Sequence, residues 1–204
     1  MYGGMMRTGG QLGRKIVRGT APAPWGWWLR NVVRPNYWGG LLANKAAKLL
    51  SAWTGIPTLT AELRIVVIKP DGRRIDYGIV GYRVVTTAFA SFVVDQLQTE
   101  TSVFGDFKYH AMGTGSTAEA NGDTAMETDS GVARTSGTQT EASATVYQSV
   151  GTLAFTSTLA LREHGLFNAS TVGTLMDRTV FAAINVVNGD SVQNTYSLTV
   201  SAGG

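Results

Sequence analysis

The chain has 204 residues, room for one good-sized domain plus an arm of about 50 residues, but not for two full domains. Only 15% of the residues are charged, against a usual share of about 25%, which predicts that part of the surface faces protein rather than water. The absence of cysteine excludes disulfides, zinc–thiolate sites and thiol catalysis.

The net charge of +3 conceals a division along the chain. Arg7, Arg14, Lys15, Arg18, Arg30, Arg34, Lys45 and Lys48 fall in the first 50 residues without one Asp or Glu, whereas beyond Arg83 four basic residues face eleven acids. A basic arm on an acidic body suits contact with an acidic surface or with a second copy of the chain.

In chain order, residues 1–20 are rich in Gly and Arg and show no period, the pattern of a disordered segment. They lack the apolar core of about 7–15 residues of a signal peptide, and the longest apolar run, "AFASFVV" at 88–94, is far shorter than the ~20 residues of a membrane span. A soluble protein, or a part of a soluble assembly, is expected. All five tryptophans, Trp25, Trp27, Trp28, Trp38 and Trp53, then occur by residue 53. With Arg14, Arg18, Arg30, Arg34 and Tyr37 they form the candidate interface set, since Trp, Tyr and Arg dominate interface hot spots. Two other readings of the tryptophans are a cap on the main core and, interleaved with Arg, a stack for single-stranded nucleic acid.

"LLANKAAKLLSAW", 41–53, predicts a short amphipathic helix preceded by Gly39-Gly40 and ended by Gly55 and Pro57. Leu42, Ala46, Leu49, Leu50 and Trp53 share one side, and Asn44, Lys45, Lys48 and Ser51 the other, which reads as a helix packed on protein, with a membrane surface as the alternative. From Thr58 the period becomes two. "TAELRIVVIK", the Pro70-Asp71-Gly72 turn and "RRIDYGIVGYRVVTTA" predict a hairpin. "TAFASFVVDQLQ" predicts one helix with Thr86 or Thr87 as cap and Phe89, Phe92, Val93 and Leu97 near one face. After it, "DFKYHAM", "SATVYQSV", "TLAFTSTLAL", "TVFAAINVV" and "VQNTYSLTVS" are each of strand length, with Asn188-Gly189-Asp190 as a turn. The expected fold is mainly β: an antiparallel β-sandwich or jelly-roll-like body over 58–204 with one short helix, plus an extended N-terminal arm, 1–57, containing the short amphipathic helix.

Candidate chemistry gathers in "YHAMGTGSTAEANGDTAMET", 109–128. A P-loop needs a lysine after its second glycine, and here Glu119 and Asp123 stand in the run instead. Asp123, Glu127 and Asp129 offer oxygens for calcium, but not at the spacing of a calcium-binding loop. His110 is expected to be a hydrogen-bonded, half-buried strand residue. His164, beside Glu163, has no serine elbow before it to complete a triad. Glu163 with Asp177 is a glycosidase-like pair only if their separation suits it. Asn168-Ala169-Ser170 matches a glycosylation acceptor without a secretory context. These readings point away from an enzyme and require no cofactor and no metal.

The ordered segments "FVVDQLQ", "DFKYHAMGTGSTAEANGDTAMET", "EHGLFN" and "LMDRTVFAAINVVNGDSVQNTYSLTVSAGG" resemble a group of small structural proteins of tailed bacteriophages, over roughly Thr58 to Gly204. The resemblance implies a virion building block, found on capsid surfaces as a decoration or cement protein, or in neck, tail and fibre-attachment parts. It further implies the major capsid protein and other copies of the chain as partners, with neck or tail proteins as the alternative, and assembly in a host cytoplasm. Residues 1–57 lie outside the resemblance. A DNA- or membrane-binding virion protein acting through the basic arm is the reading from a different class.

Overall fold

The structure, a computed structural model, describes residues 19–82, 84–98 and 107–201. Arg14 and Arg18 of the candidate interface, and the Gly- and Arg-rich stretch that holds them, lie outside the described residues up to residue 18. The fold is mainly β, with two sheets and three helices among the described residues.

In order, the elements are β1 (Thr20–Pro22), α1 (Trp25–Val32), α2 (Pro35–Thr54), β2 (Thr58–Ile68), β3 (Arg74–Tyr82), β4 (Val84–Val85), α3 (Thr87–Gln98), β5 (Tyr109–Gly113), β6 (Thr135–Ser136), β7 (Thr138–Ser143), β8 (Val146–Ala154), β9 (Leu159–Phe167), β10 (Leu175–Val186) and β11 (Ser191–Ser201). One sheet runs β1-β3-β2-β11-β8-β7 and the other β4-β10-β9-β5-β6. Every pairing is antiparallel except β1 on β3.

Period two sets the core. Leu63, Ile65 and Val67 of β2 and Val192, Tyr196 and Leu198 of β11 point inward from strands paired without interruption from Thr58↔Ser201 to Ile68↔Ser191. They share one hydrophobic cluster with Met112, Leu161, Leu166, Phe181 and Ile184 of the second sheet. α3 falls where the sequence pattern puts it, and so does the β2–β3 hairpin, except that "RRIDYGIVGYRVVTTA" leaves that sheet after Tyr82 and its Val84–Val85 pairs with β10 in the other. Thr86 caps α3 by accepting a hydrogen bond from Phe89 N on Oγ1 (3.1 Å) and donating to Leu175 O (2.6 Å). Phe89 is buried against Phe107, whereas Leu97, expected on the same face, is exposed.

Three expectations are corrected. "TLAFTSTLAL" is not one strand, because β8 ends at Ala154 and β9 starts at Leu159, with Phe155 N and O bonded to the Asp190 carbonyl and the Gly189 amide in between. The described part of the arm, 19–57, is not extended but folds into α1 and α2 after a short β1. The amphipathic helix is not short: it begins at Pro35 and runs through Gly39-Gly40 for 20 residues. Proline at the first turn starts it, and Gly55 ends it in the left-handed conformation (φ 72°).

β10 carries the feature that ties helix to sheet. Between the pairs Val180↔Glu163 and Ile184↔Leu161, three residues of β10 oppose Arg162 alone, a bulge that takes Ala182 out of the ladder. Trp27 and Asn31, one turn apart on α1, replace the lost bonds. Trp27 Nε1 donates to Ala182 O (3.0 Å), Ala182 N donates to Asn31 Oδ1 (3.0 Å), and Asn31 Nδ2 donates to Val80 O (3.1 Å). Asn31→Ala leaves Ala182 N and Val80 O without these partners, and is expected to lower the unfolding free energy by about 2 kcal/mol in denaturant titration.

The β9–β10 connection is closed by Asn168, whose Oδ1 accepts from Thr174 N (2.7 Å), and by Arg134, which donates to Ala169 O (3.0 Å) and lies over the Phe167 ring. Val172 sits there at φ 53°, 87% exposed. A β-branched residue reaches that left-handed conformation at a cost of about 1–2 kcal/mol, and asparagine tolerates it better. Val172→Asn should therefore raise the thermal midpoint, by the equivalent of about 0.5–1 kcal/mol.

Candidate interaction surface

α1 and α2 divide the candidate interface residues between inside and outside. Trp27 is 2% exposed and belongs to the main core, edge-on to Tyr77 at 4.7 Å between ring centroids. Trp28 is half-buried between Trp27 and Tyr37, and Tyr37 meets Tyr82 edge-on at 5.6 Å. Burial and then the neighbouring Tyr82 push the Tyr37 phenol up to about 12. Arg34, half-buried, stands at the N-cap of α2. Trp25 (77% exposed), Arg30, Trp38 and Trp53 (86% exposed) point outward.

The side of α2 that meets the sheet is its small and polar one. Gly40 approaches the chain so closely that a Cβ there would lie 2.6 Å from the Tyr82 carbonyl oxygen. Asn44 Nδ2 donates to Ala61 O (3.1 Å), and Ser51 is buried. Gly40, Asn44 and Ser51 share a face at helical spacing, and Tyr37 adjoins it. Opposite them, Trp38, Leu42, Leu49 and Trp53 form an apolar stripe, all more than half exposed, with Leu50 beside it. The sequence places Leu42, Ala46, Leu49 and Trp53 together on one side, and the structure docks the opposite side on the sheet. The helix is anchored through glycine, asparagine and serine, and turns its apolar face to solvent. No helix among the described residues is long and apolar enough to cross a membrane.

The glycine- and acid-rich connection after β5 is built around a buried ion pair. Glu163 of β9, fully buried, accepts hydrogen bonds from Gly115 N (3.0 Å), Thr128 N (2.7 Å) and Glu127 N (3.0 Å), and from Arg178 Nε (2.7 Å). Arg178 also reaches Asp123 Oδ2 (3.0 Å), Glu127 Oε2 (3.2 Å) and Thr117 O (3.3 Å). The cation that Asp123 and Glu127 face is thus a guanidinium, and Asp129 Oδ1 accepts from Gly131 N (2.8 Å). Hydrogen bonds from the Thr117 hydroxyl and amide hold the Glu127 carboxyl below its usual range. Glu163 pairs with Val180, and Asp177 with Leu166, so the two acids stand at different levels of neighbouring strands. Glu163 is committed to Arg178 and the loop amides. Arg178 within an apolar strand is the sequence signal that could have announced this centre.

A second buried cluster joins the sheets. His110 of β5 is fully buried rather than half-buried, because its ring reaches across from one sheet to the other. Its Nε2 meets Ser149 Oγ of β8 (2.8 Å), and its Nδ1 meets His164 Nε2 of β9 (2.9 Å). Gly137 and Gly151 leave room for the ring, since a Cβ on either would overlap it. Burial pushes the His110 imidazole down to about 3, so it is neutral at physiological pH. The order serine, histidine, histidine is that of a nucleophile, base and orienting group, but all three are fully buried, and a nucleophile must reach its substrate. The geometry is that of a hydrogen-bonded tie between sheets. Compared with known proteins, the chain matches no family model and no curated sequence at a significant level.

Proposed function

We propose that the chain is a non-enzymatic structural protein of a virion, a capsid decoration or cement protein that joins neighbouring subunits through α1 and α2. The observation that carries this reading is the inverted docking of α2, which leaves Trp38, Leu42, Leu49 and Trp53 in solvent while Gly40, Asn44 and Ser51 face the sheet. Contiguous exposed apolar surface marks interaction sites, and a buried tryptophan hot spot contributes about 2 kcal/mol or more. The virion setting comes from the resemblance of residues 58–204 to tailed-phage structural proteins. The major capsid protein and other copies of this chain are the partners. A β-sandwich body is the architecture that accords with one core fed by both sheets and with the His110–Ser149 tie between them.

Truncating residues 1–57 is a poor test, because it also removes Trp27 and Asn31 from the β10 bulge. The double substitution Leu49→Ser and Trp53→Ser touches only exposed side chains and should change stability by no more than about 0.5 kcal/mol for each site. Quantitative protein counting of purified particles should then show at least a tenfold loss of the variant. Normal occupancy would sink the proposal, and a wild-type copy number of a few per particle would move the protein to the neck or tail.

A further inference from the structure

Where β10 bulges from β9, the surface opens into a groove of about 710 Å³, bounded on one side by the end of α1 and the start of α2. Three arginines line it from distant parts of the chain: Arg30 in the last turn of α1, Arg34 at the N-cap of α2, and Arg162 in the strand opposite the bulge. No residue of the lining is acidic. Several arginines elsewhere have a carboxylate, Arg178 with Glu163, Arg64 with Asp76, and Arg73 with Asp71. Among the described residues neither Arg30 nor Arg162 has such a partner.

We infer that this groove binds a carboxylate-bearing segment of a partner protein, an acidic peptide laid along the bulge with its carboxylates on Arg30 and Arg162. Guanidinium groups pair with carboxylates in a planar, two-pronged geometry, and gathering Arg30 and Arg162 in a lining without an acid favours an anion between them. The volume falls within the range of ligand-binding clefts, and the lining adds Val33 and the Ala182 segment, surface that a lone phosphate ion would leave uncovered. A nucleic-acid strand would want an exposed ring for its bases, whereas the aromatic residue here, Phe181, is buried. The inference rests on the assembly reading only in taking the partner to be a protein. The ligand chemistry follows from the lining, so peptide binding and particle occupancy can fail separately.

Fluorescence anisotropy of labelled hexaglutamate with the full chain tests it. Saturable binding at low ionic strength is expected, weakening as salt rises. Arg30→Ala and Arg162→Ala, both at exposed side chains, should each lower affinity about tenfold with unchanged thermal midpoints, while Leu49→Ser with Trp53→Ser leaves it unchanged. Absence of saturable binding, or equal affinity in the Arg30→Ala, Arg162→Ala double variant, would overturn the inference. So would orthophosphate competing as well as the peptide, which makes the groove a free-ion site. Tighter binding of a single-stranded oligonucleotide through Arg30 and Arg162 would overturn it in favour of nucleic acid.

Discussion

Arg178→Leu is expected to lower the unfolding free energy by about 3–5 kcal/mol, the cost of leaving one member of a buried ion pair without the other. Arg178 is 4% exposed and Glu163 fully buried, so water cannot take the place of the guanidinium. The loss extends beyond the pair. Asp123, Glu127 and the Thr117 carbonyl each give up a hydrogen bond, and the connection between β5 and β6 loses its fastening to the sheet. Urea unfolding measures the first effect. Hydrogen exchange at the Gly115, Glu127 and Thr128 amides, whose bonds end on Glu163, measures the second. Adding Glu163→Gln to Arg178→Leu should recover part of the stability by removing the uncompensated charge. A loss below about 1 kcal/mol for Arg178→Leu, the level of an exposed pair, would remove the ion pair from the account of the fold.

Acid should also weaken the protein through His110. Its folded pKa, near 3, lies below the value of about 6.5 in an unfolded chain, so the unfolded state binds the extra proton. The stabilisation is therefore complete above about pH 6.5 and is lost as pH falls toward 3, amounting to about 4 kcal/mol at the acid end. The groups facing the ring are His164 from β9 and Ser149 from β8, with Gly137 and Gly151 closing it in, and none is a carboxylate that would welcome an imidazolium. The slope of unfolding free energy against pH, from urea titrations between about pH 7 and pH 4, should be shallower in His110→Gln than in the wild type. Carboxylates titrate alike in both proteins, so equal slopes would clear His110 of the effect.

The elements legible in the sequence are those whose cause is local. α3 runs over the twelve residues of "TAFASFVVDQLQ" because its apolar spacing lies within the segment and its capping threonine, Thr86, directly precedes it. β2 and β3 follow from alternation and a Pro-Asp-Gly turn. Gly39-Gly40 misled, since paired glycines usually interrupt a helix, yet here the lack of a side chain at Gly40 lets α2 lie against Tyr82. "TLAFTSTLAL" misled because its alternation continues across a turn whose bonds come from Gly189 and Asp190.

The interface candidates show the same limit. Enrichment in tryptophan and arginine marked 25–53, but could not sort Trp27 from Trp25 or Trp53, because the Trp27 partner, the Ala182 carbonyl, lies 155 positions away. Amphipathicity likewise gathered Leu42, Leu49 and Trp53 on one side of α2 without saying that the other side docks. From the sequence alone came the mainly β body, the basic N-terminal segment and the absence of any cysteine chemistry, since composition and short-range period suffice for these. Tertiary structure decided the outward apolar stripe, the Glu163–Arg178 centre, the His110–Ser149 tie and the bulge with its three arginines. Each depends on which distant backbone or charge a side chain meets once the sheets have formed, and no local pattern encodes that meeting.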